Sequence, residues 1–132
     1  VGITVDWDNP EKTIIRADIR GQWGLNDWTV ALQRGFDMIE ALDYPVDVII
    51  NALESSTPPL NLPALITRAV TSAPDRDFYV VVVGGHLTTR VAVETLGKVQ
   101  HLEKKAVFVS TLDEARNLIA LWRRKSVVQS TD

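Results

Sequence analysis

Phe78-Tyr79-Val80-Val81-Val82-Val83-Gly84-Gly85 is the stretch on which the fold turns. Six consecutive apolar residues describe a strand covered on both faces, or one central in its sheet, because a half-solvated strand alternates with a period of two. The two glycines then allow a turn with positive φ. Upstream, Pro74-Asp75-Arg76-Asp77 has turn chemistry, and residues 63–72 read as a helix that Pro63 opens in its first turn. Before them, residues 46–50 form a second short apolar strand. Tyr44-Pro45 ends a preceding helix, since the residue before proline avoids helical geometry. In that helix Trp28, Leu32, Phe36, Ile39 and Leu42 recur every three or four residues on one face, and Asn26 or Asp27 supplies its N-cap. At the start of the chain Ile3, Val5 and Trp7 alternate with polar positions. Asp8-Asn9-Pro10-Glu11-Lys12 turns the chain, and residues 13–19 return as an antiparallel strand.

Downstream of the central run, Thr88 or Thr89 caps a further helix with Val91, Thr95, Leu96 and Val99 inward. Residues 106–109 are the last strand. Thr111-Leu112-Asp113-Glu114 is a capping box, and the helix it starts buries Leu112, Ala115, Leu118, Ile119 and Trp122. The resulting order, ββαβαβαβα, predicts a single α/β domain over residues 1–132. Its sheet is mixed and mainly parallel, with right-handed crossovers and the first strand antiparallel at or near an edge.

Composition narrows the function classes. The chain has 132 residues, 45% hydrophobic and 23% charged, which suits one globular core. Fourteen basic against seventeen acidic residues leave a net charge of -3, with no electrostatic footprint for nucleic acid. Cysteine is absent, which excludes disulfides, thiol catalysis and thiolate metal sites and makes the cytoplasm the expected compartment. No apolar run approaches the roughly 20 residues of a membrane helix, so membrane insertion is not expected.

The succession of elements resembles the STAS fold of the anti-sigma-factor antagonists and of SpoIIAA-like bacterial proteins. The residues that carry the likeness are a strand ending at Asn51, Tyr79-Val80-Val81-Val82-Val83-Gly84-Gly85, and the corner Phe108-Val109-Ser110-Thr111-Leu112-Asp113-Glu114-Ala115-Arg116. The resemblance implies a non-enzymatic cytoplasmic regulatory or protein-interaction domain. It also implies an unidentified protein partner such as a kinase or an anti-sigma-type regulator, and a homodimer is compatible with it. In the antagonists a serine at the start of the second helix is phosphorylated. Glu54-Ser55-Ser56-Thr57 copies that motif in composition, but counting from Asn51 the serine would fall near Leu60 or Asn61, where no hydroxyl stands. The chain thus resembles a divergent member that lacks the phosphoserine motif in register.

Other candidate chemistry is sparse. Ser55 and Ser56 remain possible phosphorylation points, because a dianion near a helix N-terminus is stabilised by free N–H groups. A serine nucleophile would need a base and an elbow of the Gly-x-Ser-x-Gly type, which is absent. Gly84-Gly85-His86 lies where a parallel strand ends, the edge at which α/β proteins bind ligands, though a glycine turn alone explains it. A second reading follows: a small-ligand module for a nucleotide, lipid or phosphate metabolite, using the edge Ser55, Ser56, Asn61, Gly84, Gly85, His86 and Ser110. Neither reading expects a metal or a cofactor, since two separated histidines offer no ligand spacing. Asp6, Asp8 and Glu11 read as a solvated acidic turn. Arg123-Arg124-Lys125 reads as a basic helix C-terminus. Trp28 and Trp122 belong to the core, while Trp7 and Trp23 line a pocket, an interface or a satellite core.

Overall fold

The computed structural model describes residues 2–56, 78–84 and 106–130. In chain order its elements are β1 (Gly2–Trp7), β2 (Ile14–Gly21), α1 (Leu25–Glu40), β3 (Asp47–Ser55), β4 (Val80–Gly84), β5 (Ala106–Val109) and α2 (Leu112–Ser130). The five strands form one sheet in the order β1-β2-β3-β4-β5. β1 and β2 pair antiparallel, and every other neighbouring pair is parallel. This is the expected mixed, mainly parallel α/β sheet with an antiparallel edge strand. The helices expected over residues 63–72 and after Thr88 lie outside the described residues.

The β1–β2 hairpin is made by side-chain chemistry in its loop. Asn9 Oδ1 accepts from the backbone N–H of Thr13 (3.0 Å) and Ile14 (3.3 Å), and Lys12 N–H closes the turn onto the Asn9 carbonyl at 3.2 Å. Pro10 sits at the second turn position, where its fixed φ is already correct.

Alternation along the strands sends two sets of side chains to opposite faces of the sheet. On one face Val5, Ile15, Ile39 and Val46 are buried, with Trp7, Phe36, Leu42 and Val48 packed around them. α1 covers this face. On the other, Ile49, Val81, Val83, Ala115 and Ile119 form the buried cluster, joined by Leu112, Leu118 and Trp122 of α2. The inward faces expected for both helices are therefore those observed. The two cores differ in how they are tied down, since the second one also carries a buried ionic link. Asp47 is 3% exposed. It accepts from Tyr79 N–H at 2.9 Å, from Arg123 Nε at 2.8 Å, and from a second nitrogen of the Arg123 guanidinium. The guanidinium also lies 4.8 Å from the Tyr79 ring centroid, and that ring contacts Trp122 at 4.7 Å.

Several sequence expectations need correction. Arg123 does not decorate a helix C-terminus: α2 runs on to Ser130, and Arg123 neutralises Asp47. Asp8 is not solvated. Its side chain is 2% exposed and is held by Arg16 and Arg116, which a reading of the turn alone could not anticipate. α1 is capped at Gly24, with Asp27 three positions in: Asp27 Oδ2 accepts Gly24 N–H at 3.0 Å. β3 extends five residues past the expected end at Ile50, because β2 and β4 continue beside it and satisfy its backbone. Residues 53–55, beyond that expected end, are strand. β4 begins two residues later than expected and includes Gly84.

Candidate functional site

The parallel pairing sets Gly21, Ser55, Gly84 and Ser110 at the C-terminal edge of the sheet. Gly21 pairs with Ser55, Ala52 with Gly84, and Ser110 follows Val109, which pairs with Val83. The turn role expected of Gly84 is met: its φ is +78°, a backbone conformation that side chains with a Cβ avoid. A Cβ there would also stand 3.1 Å from Leu53 Cδ2 and 3.3 Å from Leu53 Cα. Ser110 is exposed, directly before the Thr111 cap. That cap is the expected capping box, with Glu114 N–H on Thr111 Oγ1 at 3.1 Å and the Thr111 hydroxyl on Glu114 Oε1 at 3.3 Å. Asn61, Gly85 and His86 lie outside the described residues.

A bulge aims Ser55. Asp18 pairs with Asn51, but Arg20 pairs with Glu54, so β3 carries one residue more than β2 across that interval. The extra residue shifts the alternation by one. Glu54 consequently shares a face with Arg20, whose Nε donates to its Oε2 at 3.1 Å. Ser55 turns toward the α1 side and accepts Trp23 Nε1–H on its Oγ at 3.1 Å. Asn51 supports the bulge from both ends, its Oδ1 accepting Leu53 N–H at 3.2 Å and its Nδ2 donating to Asp18 Oδ1 at 2.9 Å. Nothing in Asn51-Ala52-Leu53-Glu54 announces this in sequence; an asparagine inside an apolar strand is the one clue.

The Ser55 hydroxyl proton is directed at the Ser56 carbonyl at 3.0 Å, so this serine is bonded to an indole and a carbonyl rather than to a base. Ser56 is anchored through its backbone N–H to the Gly21 carbonyl at 2.9 Å. Trp23 in turn stacks on Trp28 with ring centroids 5.5 Å apart. The chain Ser56–Ser55–Trp23–Trp28 therefore couples the strand ends to the first turns of α1. Of the open alternatives for Trp23, this is a small aromatic cluster at the edge, while Trp7 packs on the α1-side core.

A row of charge runs from this edge along the α2-side face of β2. Glu54, Arg20, Asp18, Arg16, Asp8, Arg116 and Asp113 follow one another as ion pairs, the closest between Arg16 Nη1 and Asp8 Oδ1 at 2.8 Å. Arg116 grips Asp8 in bidentate fashion, Nε and Nη2 each at 2.9 Å. These bonds hold the Asp8 carboxyl below the usual carboxylate range. The Arg116 hydrogen bond is the largest cause, burial opposes it, and the Arg116 charge and Arg16 add to the lowering. Asp8 raises Arg116 above its ordinary value for the same reason. The row ties α2 to the β1–β2 hairpin and leaves one net negative charge, with four carboxylates against three guanidiniums. Among the described residues no three metal-ligating side chains gather, and no helix is long and apolar enough to cross a membrane.

Comparison with known proteins identifies the fold. No family model and no curated protein matches the sequence. Among solved structures, the chain is similar to an uncharacterized protein of the DUF3478 family with a SpoIIAA-like fold from Shewanella loihica PV-4. The TM-score is 0.65 at 10% identity, over 89% of this chain and 93% of that one. It is also similar to an anti-sigma factor antagonist from Mycobacterium paratuberculosis, with a TM-score of 0.52 at 17% identity, over 90% of this chain and 95% of that one. At such identities the likeness is one of architecture, and the architecture is SpoIIAA-like, of the STAS type.

Proposed function

We propose that this chain is a non-catalytic regulatory domain that acts in the cytoplasm by binding a protein partner through the C-terminal edge of its parallel strands. The observation that supports the reading is the fold likeness over 90% of the chain to an anti-sigma factor antagonist. Two features of the edge agree with it. Leu53 and Leu25, which flank the Ser55–Trp23 cluster in the chain, are 54% and 46% exposed, and apolar side chains held on a rigid edge suit a partner surface. The Ser55 hydroxyl lies between an indole and a carbonyl, an arrangement that positions it and does not activate it. Within this reading a kinase or an anti-sigma-type regulator is the class of partner. A phosphoryl group on Ser55 would add about −1.5 to −2 charge and displace Trp23, so modification there would rebuild the edge.

The test is affinity capture from extract of the source cell with the unaltered chain and with Leu53→Asp, both first checked for folding by circular dichroism. A defined protein should be recovered by the former and lost by the latter. Repeated recovery of nothing, or a partner held equally by Leu53→Asp and Leu25→Asp, overturns the reading.

A further inference from the structure

β1 is the outermost strand of the sheet, so one row of its backbone groups faces away from β2. Hydrogen-bonded and non-bonded pairs alternate along an antiparallel ladder. Asp8 N–H donates to the Ile14 carbonyl at 2.8 Å, which makes that pair a bonded one. Counting back through the register from Trp7 opposite Ile15, the groups that point outward are those of Trp7, Val5 and Ile3. An open row of this kind is a template for another strand. Here two side chains already occupy part of it. Arg34 of α1 reaches to the strand and donates its Nε–H to the Val5 carbonyl at 2.9 Å. Asp6 accepts the Trp7 N–H on its Oδ1 at 2.8 Å. Both Arg34 and Asp6 are exposed residues, so core packing does not account for them. A tether between α1 and β1 would explain Arg34 alone, but Asp6 bridges no two elements: it bonds its own neighbour.

We propose that β1 is a strand-pairing edge for a second copy of this chain, and that Arg34 and Asp6 hold it closed. The register that uses every outward group is the antiparallel one that sets Val5 against Val5 of the second copy. Ile3 then faces the second copy's Trp7, and these side chains lie with Val5 on the α1 side, where they continue the apolar face. Asp6 falls opposite Thr4, so the pairing opposes no like charges along the strands. Each bonded pair exchanges two hydrogen bonds, Val5 with Val5 on the two-fold axis and Ile3 with Trp7 on either side of it. Four of those six bonds need a Val5 carbonyl or a Trp7 N–H, the groups that Arg34 and Asp6 occupy. Arg34 adds a charge barrier. Paired Cα atoms at the axis stand about 5.5 Å apart, so two guanidiniums held on the Val5 carbonyls would meet there. Freed of these two side chains, the edge pairs. None of the residues involved is invoked for partner binding at the C-terminal edge of the strands, so either proposal can fail alone.

The experiment compares the unaltered chain with a double variant, Arg34→Ala with Asp6→Ala, once circular dichroism has shown both to be folded. Sedimentation velocity over a range of concentrations gives the mass, and amide hydrogen exchange reports on the edge. The double variant should approach twice the mass of the unaltered chain as concentration rises, and its Ile3 and Val5 amides should gain protection in step. A third variant adds Ile3→Pro, which deletes an outward N–H where an edge strand accepts proline, and it should return the mass to that of the unaltered chain. If the double variant does not fold, Arg34→Ala decides alone, since it frees both bonds at the axis and removes the charge. The proposal is overturned by a folded variant whose mass stays that of the unaltered chain at every concentration, by association that leaves the Ile3 and Val5 amides unprotected, or by association that survives Ile3→Pro.

Discussion

Replacing Asp47 by alanine should lower the melting temperature by about 11 °C, and the structure supplies the magnitude. Asp47 is 3% exposed, and its carboxylate accepts from Tyr79 N–H and from two nitrogens of Arg123. Truncation takes the acceptor from the Tyr79 amide at the head of β4 and strands a guanidinium in the contact between α2 and the sheet. Breaking a buried pair in this way costs about 3–5 kcal/mol. The Arg123 side chain is 30% exposed, so water can reach part of it, and the low end applies, about 3 kcal/mol. For 132 residues the entropy of unfolding is about 0.28 kcal/mol/K, which converts that cost to about 11 °C. Asp47→Asn keeps one oxygen for Tyr79 and should lose about half as much. Calorimetric melts of Asp47→Ala, Arg123→Met and the double variant form the assay. The double variant should be more stable than the sum of the single losses by at least about 1 kcal/mol, because removing the guanidinium also removes the stranded charge. A drop below about 4 °C, or strict additivity, refutes the account of the link.

Asp8 gives a pH signature. Its folded pKa is depressed, so the stability it contributes is present above the unfolded value of about 3.9 and is lost as pH falls through the lower folded value. Asp8→Asn should cost about 1–2 kcal/mol at pH 7, the arginines being partly solvated, and the gap to the unaltered chain should close below about pH 4 in urea titrations. Asn51→Ala removes the acceptor of the Leu53 amide and the donor to Asp18, and should lower stability by about 1–2 kcal/mol with a smaller urea midpoint. In the same variant the Trp23 emission should change, because the bulge that aims Ser55 loses its support. Gly84→Ala should cost about 1–2 kcal/mol for its positive φ, with the contact to the Leu53 backbone adding to it.

Much of the architecture was legible because it rests on local rules. The capping box at Thr111, the inward stripes of both described helices, the antiparallel first strand and the positive φ of Gly84 each follow from a few neighbouring residues. The candidate site was legible only as an edge. That Ser55 meets Trp23 depends on a one-residue bulge in β3, and a bulge is a mismatch between two strands, so neither strand's sequence states it. Position 53 illustrates the same point. Leu53-Glu54-Ser55 has the composition of a loop, yet it is strand because β2 runs alongside it.

The sequence by itself determined the order of the described elements, the side of each described helix that faces the sheet and the identity of the apolar core there, since periodicity and capping act within a turn or two of chain. The tertiary structure decided which charges are buried. Asp8 and Asp47 read as solvated or unremarkable until Arg116 and Arg123, 108 and 76 residues away, close over them. It also decided where space remains: a partly open cavity of about 80 Å³ lies between α1 and the sheet, walled by residues as distant in the chain as Ile15, Trp28 and Ile50. Coulomb attraction and unfilled volume depend on distance in space, and only folding brings those groups within reach.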